Sequence, residues 1–494
     1  MSNLLLLAPM GVETRLLRRG APGARIVRSG IGPRRAGRTA SSLASTPEQA
    51  VAIAGFAGAL VPGLLPGDVV VASQLRLRDG RVLAECPGAE VIAGLLRRRG
   101  LRAQCGPIVS VRAPAIGRTR AKLAETSGAL AVDMESCWLA PAAAGRPLVV
   151  ARVVLDAPGV GVGIARAART LSELASLLEE WAENVHPHEL LLAAPRASCA
   201  GVERAIEVVE RALERYGPPV YMRKQIVHNR HVVSELERRG AICVDELDEV
   251  PDGATVVFSA HGVSPQVREQ ARRKSLNVMD ATCPLVSMGH GEARRFARDG
   301  YSIVLIGHEG HEEIDGTAGE APDHITVVAS AEEVDGILVD DPGRVAYLTQ
   351  TTLAVDETSG VVDRLRERFP AIIGPRSDDI CYATQNRQDA VKALAASCEV
   401  VLVVGSPNSS NSNRLVEVAE RHGCRARLLD SEADIDLAPL NGARRIGVTA
   451  GASSPERVVR RIVDALSVLG PVSISEHRVA AEEVTFTLPR EVRN

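Results

Sequence analysis

Short aliphatic runs recur along the chain, separated by amphipathic stretches, and this confines it to alternating strands and helices. Residues 4–8, 69–72, 148–154, 190–194, 255–258, 302–306, 400–404 and 445–449 have the length and apolar continuity of buried strands. Residues 202–216 place Ile206, Val209 and Leu213 at helical spacing, and residues 388–396 form a similar segment. The pattern predicts an α/β protein with parallel sheets. Aromatic residues make up only 2% of the chain, so its cores must be aliphatic. The same scarcity argues against base-stacking platforms for RNA or single-stranded DNA.

The 494 residues suffice for about three compact units. Residues 171–185 put Leu174, Leu178, Trp181 and Val185 on one helical face. That helix must stop at His186-Pro187-His188, because proline cannot continue it. The expected division is an amino-terminal domain, residues 1–187, and a carboxy-terminal domain, residues 188–494. Charge agrees: residues 1–188 hold 23 basic and 14 acidic side chains, the remainder 35 and 47. The net charge of −3 argues against a nucleic-acid partner. The uncharged stretch 50–67 contains Pro62 and Pro66 and reads as a buried strand and turn rather than a membrane span. Residues 4–9 are apolar but short and lack a basic leader, so no signal peptide is expected. Nine cysteines without such a signal fit free, catalytic or metal-bound thiols in a cytoplasmic protein.

Three of the cysteines share one context. Cys199 follows the 190–194 run and precedes a helix. Cys283 sits in Asp280-Ala281-Thr282-Cys283-Pro284. Cys381 sits in Ser377-Asp378-Asp379-Ile380-Cys381-Tyr382, before another helix. They are 84 and 98 residues apart, about one α/β lobe each. Three lobes, each presenting a thiolate at a strand's carboxyl end, would converge where open α/β sheets place ligands. Three soft thiolates suit an iron–sulfur cluster with one incompletely ligated iron, or a three-ligand zinc. Spacing alone leaves unrelated buried cysteines equally open, since no compact CxxC pair is present. Cys243, Cys398 and Cys424 lack the context and read as packing residues.

Polar clusters follow five predicted strands. They are His228-Asn229-Arg230-His231, Ser259-Ala260-His261-Gly262, His308-Glu309-Gly310-His311-Glu312-Glu313, the run from Ser406 to Asn413, and Ala450-Gly451-Ala452-Ser453-Ser454. Short donors at a helix amino terminus form an anion site without lysine. Histidines beside it point to a phosphorylated small substrate. A lone histidine reads as a core group and a lone Ser/Asn run as a helix cap, but five such clusters after five strands exceed that explanation. The zincin HExxH does not fit at residues 308–311, where the second histidine comes one residue early. The absence of PCxxC excludes a zinc deaminase.

From about residue 190 to the end, these motifs resemble the 4-hydroxy-3-methylbut-2-enyl diphosphate reductase family. CAGV at Cys199, IVHNRHVV, FSAHGVS, DATCPLV, IGHEGHEE, LTQTTL, DDICYATQNRQ, GSPNSSNSNR and VTAGASSP occur in family order. The resemblance implies three α/β lobes around one [4Fe–4S] cluster per chain. Cys199, Cys283 and Cys381 would hold it, and its apical iron would bind the substrate hydroxyl. The resemblance also implies a diphosphate pocket of His228, His261, Ser409, Ser410, Asn411 and Ser453. His311, Glu313 and Thr351 match the proton-delivery group. The implied reaction is reductive dehydroxylation of a small-molecule diphosphate to isopentenyl and dimethylallyl diphosphate, the last step of the non-mevalonate isoprenoid route. A ferredoxin or flavodoxin is the expected electron donor. The chain departs from the family at Ala197-Ser198, at Ser287-Met288-Gly289 and at Thr317-Ala318-Gly319-Glu320, and no departure removes a ligand.

The amino-terminal domain has its own motifs. Ser29-Gly30-Ile31-Gly32-Pro33, the run from Gly55 to Leu60, Pro66-Gly67-Asp68, Val132-Asp133-Met134-Glu135-Ser136 and Arg152-Val153-Val154-Leu155-Asp156 resemble the nucleoside phosphorylase / methylthioadenosine nucleosidase family. The resemblance implies that Glu13 activates water, that Met134 and Glu135 contact a ribose, and that Asp156 protonates a purine leaving group. No aromatic stands out to stack on a purine. A related branch acts on nucleoside-linked hopanoids, which are isoprenoid lipids. Three readings follow: a bifunctional enzyme, a reductase whose amino-terminal domain is a non-catalytic binding or assembly module, and an iron–sulfur redox sensor. A sensor needs only the cysteines, so Glu313, Thr351 and the anion pocket favour an enzyme.

Overall fold

The computed structural model describes residues 3–353, 355–375 and 380–493. Ser377, Asp378 and Asp379 of the Cys381 motif lie outside them. The chain forms two compact units. The first comprises Met1–Leu190, Ser431–Ile446 and Arg460–Ser475, and the second Leu191–Asp430, Gly447–Val459 and Glu476–Asn494.

In the first unit, strand Ala50–Ala59 lies parallel to Leu4–Ala8 and to Leu148–Ala157. Val69–Leu77 runs antiparallel to Leu148–Ala157, and Ala131–Asp133 antiparallel to Ala50–Ala59. The sheet is therefore mixed, which corrects the expectation of parallel sheets throughout. Residues 60–68 are the physical reason. A parallel return needs a crossover of roughly a dozen residues or more, usually a helix. This shorter link, with Pro62 and Pro66, turns the chain back instead. Parallel pairings of Ala103–Ser110 with Val69–Leu77 and with Ala131–Asp133 close five strands into a ring. Helix Ile164–Glu183 buries Leu174, Leu178 and Trp181, as their spacing predicts, but it starts earlier than residue 171 and ends before Val185. Trp181 Nε1 donates to Val468 O at 2.9 Å, and Arg98 Nη1 to Ala433 O at 2.6 Å, so distant segments of sequence belong to this unit. No helix among the described residues is long and apolar enough to cross a membrane.

The second unit contains the expected parallel sheets. A four-stranded sheet has the order Ala241–Val244, Val220–Arg223, Thr255–Phe258, Asn277–Asp280. A three-stranded sheet has the order Ile325–Val328, Ser302–Ile306, Val345–Thr349. A five-stranded sheet has the order Arg425–Leu429, Val400–Val404, Arg445–Ala450, His188–Ala194, Val472–Arg478. Aliphatic residues fill the cores, among them Val257 and Met279, Val304 and Ile306, and Val401 and Val403. Burying each such side chain contributes ~1.5–3 kcal/mol.

Cys199 and Cys283 follow strands as expected. Among the described residues no strand immediately precedes Cys381. It precedes helix Tyr382–Ala395, whose Ala390, Val391 and Leu394 pack in the core that holds Val401 and Val403. The helix after Cys199 packs on the four-stranded sheet and the helix after Cys283 on the three-stranded sheet, so each lobe carries one thiol at the start of a helix, and the three-stranded lobe adds Glu313 and Thr351.

Candidate active site

A cavity in the second unit is lined by Cys199, Cys283 and Cys381 together with His228, His261, His311, Glu313, Thr351, Ser409, Ser410, Asn411 and Ser453. Every site residue expected in this half of the chain is on its wall.

Each of the three cysteines caps a helix: Ala200–Tyr216, Pro284–Arg298 and Tyr382–Ala395. The first-turn N–H groups of a helix have no partner inside it and favour negative charge. Those of Leu285 and Val286 face Cys283, and those of Ala383 and Thr384 face Cys381. Burial pushes the Cys283 thiol up to about 11 and the Cys381 thiol up to about 12, against the pull of these amides. A metal group taking thiolates here would displace protons. Gly201 keeps the space open. A Cβ at that position would lie 2.8 Å from Cys283 Sγ and 3.9 Å from Cys199 Sγ. Three thiols converging beside amide donors and a glycine cradle fit a compact iron–sulfur group. Cys243, Cys398 and Cys424 are not on the cavity wall.

The imidazoles form the next part of the wall. The His228 and His261 rings stack with centroids 4.1 Å apart, and His311 stands edge-on to both, at 5.6 and 5.8 Å. Burial, then the neighbouring ring of His261, pushes His228 down to about 3 and His311 to about 4. His228 Nδ1 is buried with no hydrogen-bond partner among the described residues. A polar ligand would satisfy it.

Hydroxyls and an amide complete the pocket. Ser409 caps helix Ser410–Arg421, accepting from Ser412 N, and its Oγ lies 3.3 Å from Ser453 Oγ. Ser453 Oγ donates to His228 O at 3.1 Å. Asn411 Oδ1 accepts from Ala452 N at 2.8 Å. The helix amino terminus and these donors have the chemistry of an anion site.

Glu313 is buried. Its Oε1 accepts from Thr351 N at 2.7 Å, and its Oε2 accepts from Thr351 Oγ1 at 2.9 Å. His311 caps helix Glu312–Ala318, its Nδ1 accepting from Glu313 N at 3.2 Å. Burial raises the Glu313 carboxyl, and the two Thr351 hydrogen bonds oppose that rise. A carboxyl raised in this way, beside a hydroxyl, is suited to donate a proton. Sequence reasoning missed Glu312, Thr352 and Thr384. Thr352 and Thr384 line the cavity, and Glu312 stands between two residues already singled out.

In the first unit, Glu13, Met134, Glu135 and Asp156 line one cavity. Glu13 accepts from Phe56 N at 2.7 Å and Met10 N at 2.8 Å, and Glu135 accepts from Gly32 N at 2.9 Å. Burial raises both carboxyls. Asp156 is half-buried and ion-paired with Arg120 at 2.7 Å. Phe56 and Arg120 also line this wall, and neither was anticipated as a site residue. Phe56 sits inside the Gly55–Leu60 motif.

Converging thiols, an imidazole-and-hydroxyl anion pocket and a buried carboxyl, carried on α/β lobes, define an oxidoreductase of the metal–sulfur class. The chain belongs to the LytB protein family, whose model matches residues 190–467. Residues 20–186 match the model of the Phosphorylase superfamily. The 4-hydroxy-3-methylbut-2-enyl diphosphate reductase of Nocardia farcinica is 56% identical over 335 residues, covering 68% of this chain and 97% of that one. The same enzyme of Mycolicibacterium gilvum is 56% identical over 337 residues, covering 68% and 98%. The solved structure of the E-1-hydroxy-2-methyl-but-2-enyl-4-diphosphate reductase from Plasmodium falciparum is 37% identical, with a TM-score of 0.60, and covers 62% of this chain and 97% of that one.

Proposed function

We propose that residues 188–494 remove the allylic hydroxyl of 4-hydroxy-3-methylbut-2-enyl diphosphate, giving isopentenyl and dimethylallyl diphosphate. The observation that carries this reading is the single cavity joining three cysteines, an anion pocket and Glu313. The reaction consumes two electrons and two protons and releases water. Cys199, Cys283 and Cys381 would hold one [4Fe–4S] cluster per chain, which when bound supplies single electrons and a Lewis-acidic iron. His228, His261, Ser409, Ser410, Asn411 and Ser453 bind and orient the diphosphate. Charge-assisted hydrogen bonds of this kind contribute ~1.5–3 kcal/mol each. Glu313 passes a proton through Thr351 to the leaving oxygen, and His311 holds the helix that carries Glu313. A ferredoxin or flavodoxin delivers the electrons in the cytoplasm, a reducing compartment in keeping with the free cysteines. Anaerobically purified protein is expected to contain about four iron and about four acid-labile sulfide per chain and to reduce the diphosphate with a chemical electron donor. Stoichiometric zinc without sulfide would reject the reading.

The first unit supports a second activity, cleavage of the N-glycosidic bond of a purine nucleoside derivative by residues 1–187. The supporting observation is that Glu13, Met134, Glu135 and Asp156 share one cavity. Cleavage builds positive charge on the ribose and negative charge on the purine. Glu135 and Asp156 answer those two charges, while Glu13 suits water as nucleophile. The full-length chain is expected to release free base from 5′-substituted adenosines, and Asp156→Asn to abolish the release. No release from any such nucleoside, with or without phosphate, would leave this domain as a binding module.

A further inference from the structure

The second unit holds a fully buried cation that the reaction above does not use. Arg387 lies on helix Tyr382–Ala395, and its side chain is 0% exposed. A guanidinium in the interior persists only with its donors met and its charge paired. Nε and Nη2 of Arg387 donate to Ala197 O at 3.1 and 2.7 Å. Nη1 donates to Ala383 O at 2.9 Å and to Glu482 Oε1 at 2.9 Å. Asn386 Nδ2 donates to the same carboxylate oxygen at 3.1 Å. Ala197 stands two residues before Cys199, and Ala383 two residues after Cys381. One guanidinium therefore joins the segments that carry two of the three thiols.

The backbone at Ala197 needs such a partner. Its φ of 62° lies in the left-handed region, where a Cβ crowds the chain and glycine is the ordinary occupant. Ala197 is also buried, so its carbonyl must find its partner within the protein. Cys199 N donates to Ala452 O at 3.2 Å, and Ser198 Oγ to Ser454 O at 3.2 Å. These anchors steady the loop, but neither reaches the helix that Cys381 caps.

We infer that Arg387 is a positioning residue of the thiol set: by binding Ala197 O and Ala383 O at once, it holds the strained loop before Cys199 at a fixed distance from the start of the Cys381 helix. Glu482 in turn fixes the guanidinium. This rests on the reading of the three thiols as ligands of one cluster. A ligand set held in place before the cluster arrives retains it better than one that must be ordered.

The test follows the visible absorption of the full-length, cluster-loaded protein during anaerobic challenge with a chelator. Arg387→Lys keeps the charge but not the planar fork, so it cannot hold both carbonyls and Glu482 together. Cluster loss should then run about tenfold faster than in the wild type, which corresponds to about one charge-assisted hydrogen bond. Adding Ala197→Gly removes the backbone strain that Arg387 opposes, so the double variant should recover most of the difference. The paramagnetic resonance signal of the reduced cluster, a readout of ligand geometry, should shift in Arg387→Lys and return in the double variant. Glu482→Gln should speed the loss by a smaller factor, and it carries the test if Arg387→Lys does not fold. A wild-type loss rate in Arg387→Lys or in Glu482→Gln overturns the inference and leaves the thiol reading standing. A double variant no better than Arg387→Lys also overturns it, because Arg387 then supports the fold without acting through Ala197. Wild-type protein that takes up no cluster overturns the thiol reading and the inference with it.

Discussion

Serine at Cys199, Cys283 or Cys381 is expected to abolish cluster loading, each substitution acting alone, while Cys243→Ser leaves loading intact. All three sulfurs line one cavity, and each belongs to a residue that caps a helix. A serine oxygen is a harder ligand and keeps its proton at neutral pH, so it cannot replace a soft thiolate on iron. With one ligand missing, two thiolates remain for a group that the site supplies with only three. Cys243 is a strand residue whose Sγ donates to Lys224 O at 3.2 Å, and it packs against the core of Val257 and Met279. Iron content, acid-labile sulfide and the visible absorption of anaerobically purified variants measure the outcome, with circular dichroism as a check on folding. Full sulfide content in any of the three variants, or its loss in Cys243→Ser, would show that the ligand set is different.

Glu313→Gln is expected to lower turnover by ~10²–10⁴-fold, the usual worth of a positioned proton donor. The amide is isosteric. Its oxygen can still accept from Thr351 N, which is 2.7 Å from the carboxylate oxygen in the native chain. What is lost is the acidic proton beside Thr351 Oγ1. Glu313 is no part of the thiol set, so iron and sulfide should match the wild type. Inorganic diphosphate should still bind, because the His228–His261 stack and the Ser409–Ser453 pair are untouched. Single-turnover rates with reduced protein isolate the chemical step. Wild-type turnover would place the proton donor elsewhere, and loss of the cluster would make Glu313 a structural group.

Much of the second unit was legible from local pattern. Strands Thr255–Phe258, Ser302–Ile306 and Val400–Val404 fall where uninterrupted aliphatic runs place them. Burial on both faces of a parallel sheet demands such runs, and a run of this kind is a local property. The candidate site was legible for a related reason. Ser409 and His311 each begin a helix as its cap, and caps are read from a few adjacent residues. The long apolar stripe of Ile164–Glu183 was equally visible, because helical spacing needs no knowledge of what the helix packs against.

Other features required the folded chain. The strand directions of the first unit depend on whether a nine-residue link such as residues 60–68 can carry a crossover, and on which edges remain free to pair. The assignment of Ser431–Ile446 and Arg460–Ser475 to the unit of Met1–Leu190 depends on bonds between residues hundreds of positions apart, such as Trp181 to Val468. The helix after Cys381 packs in the core of Val401 and Val403, and sequence spacing carries no record of which sheet a helix joins. The amino acids at the site were therefore set by the sequence alone, as were most of the elements that hold them. Which thiols converge, which carboxyl is raised and which carbonyl meets Arg387 were decided by tertiary structure. Burial and charge pairing depend on distances through space, whereas periodicity and capping depend on distances along the chain.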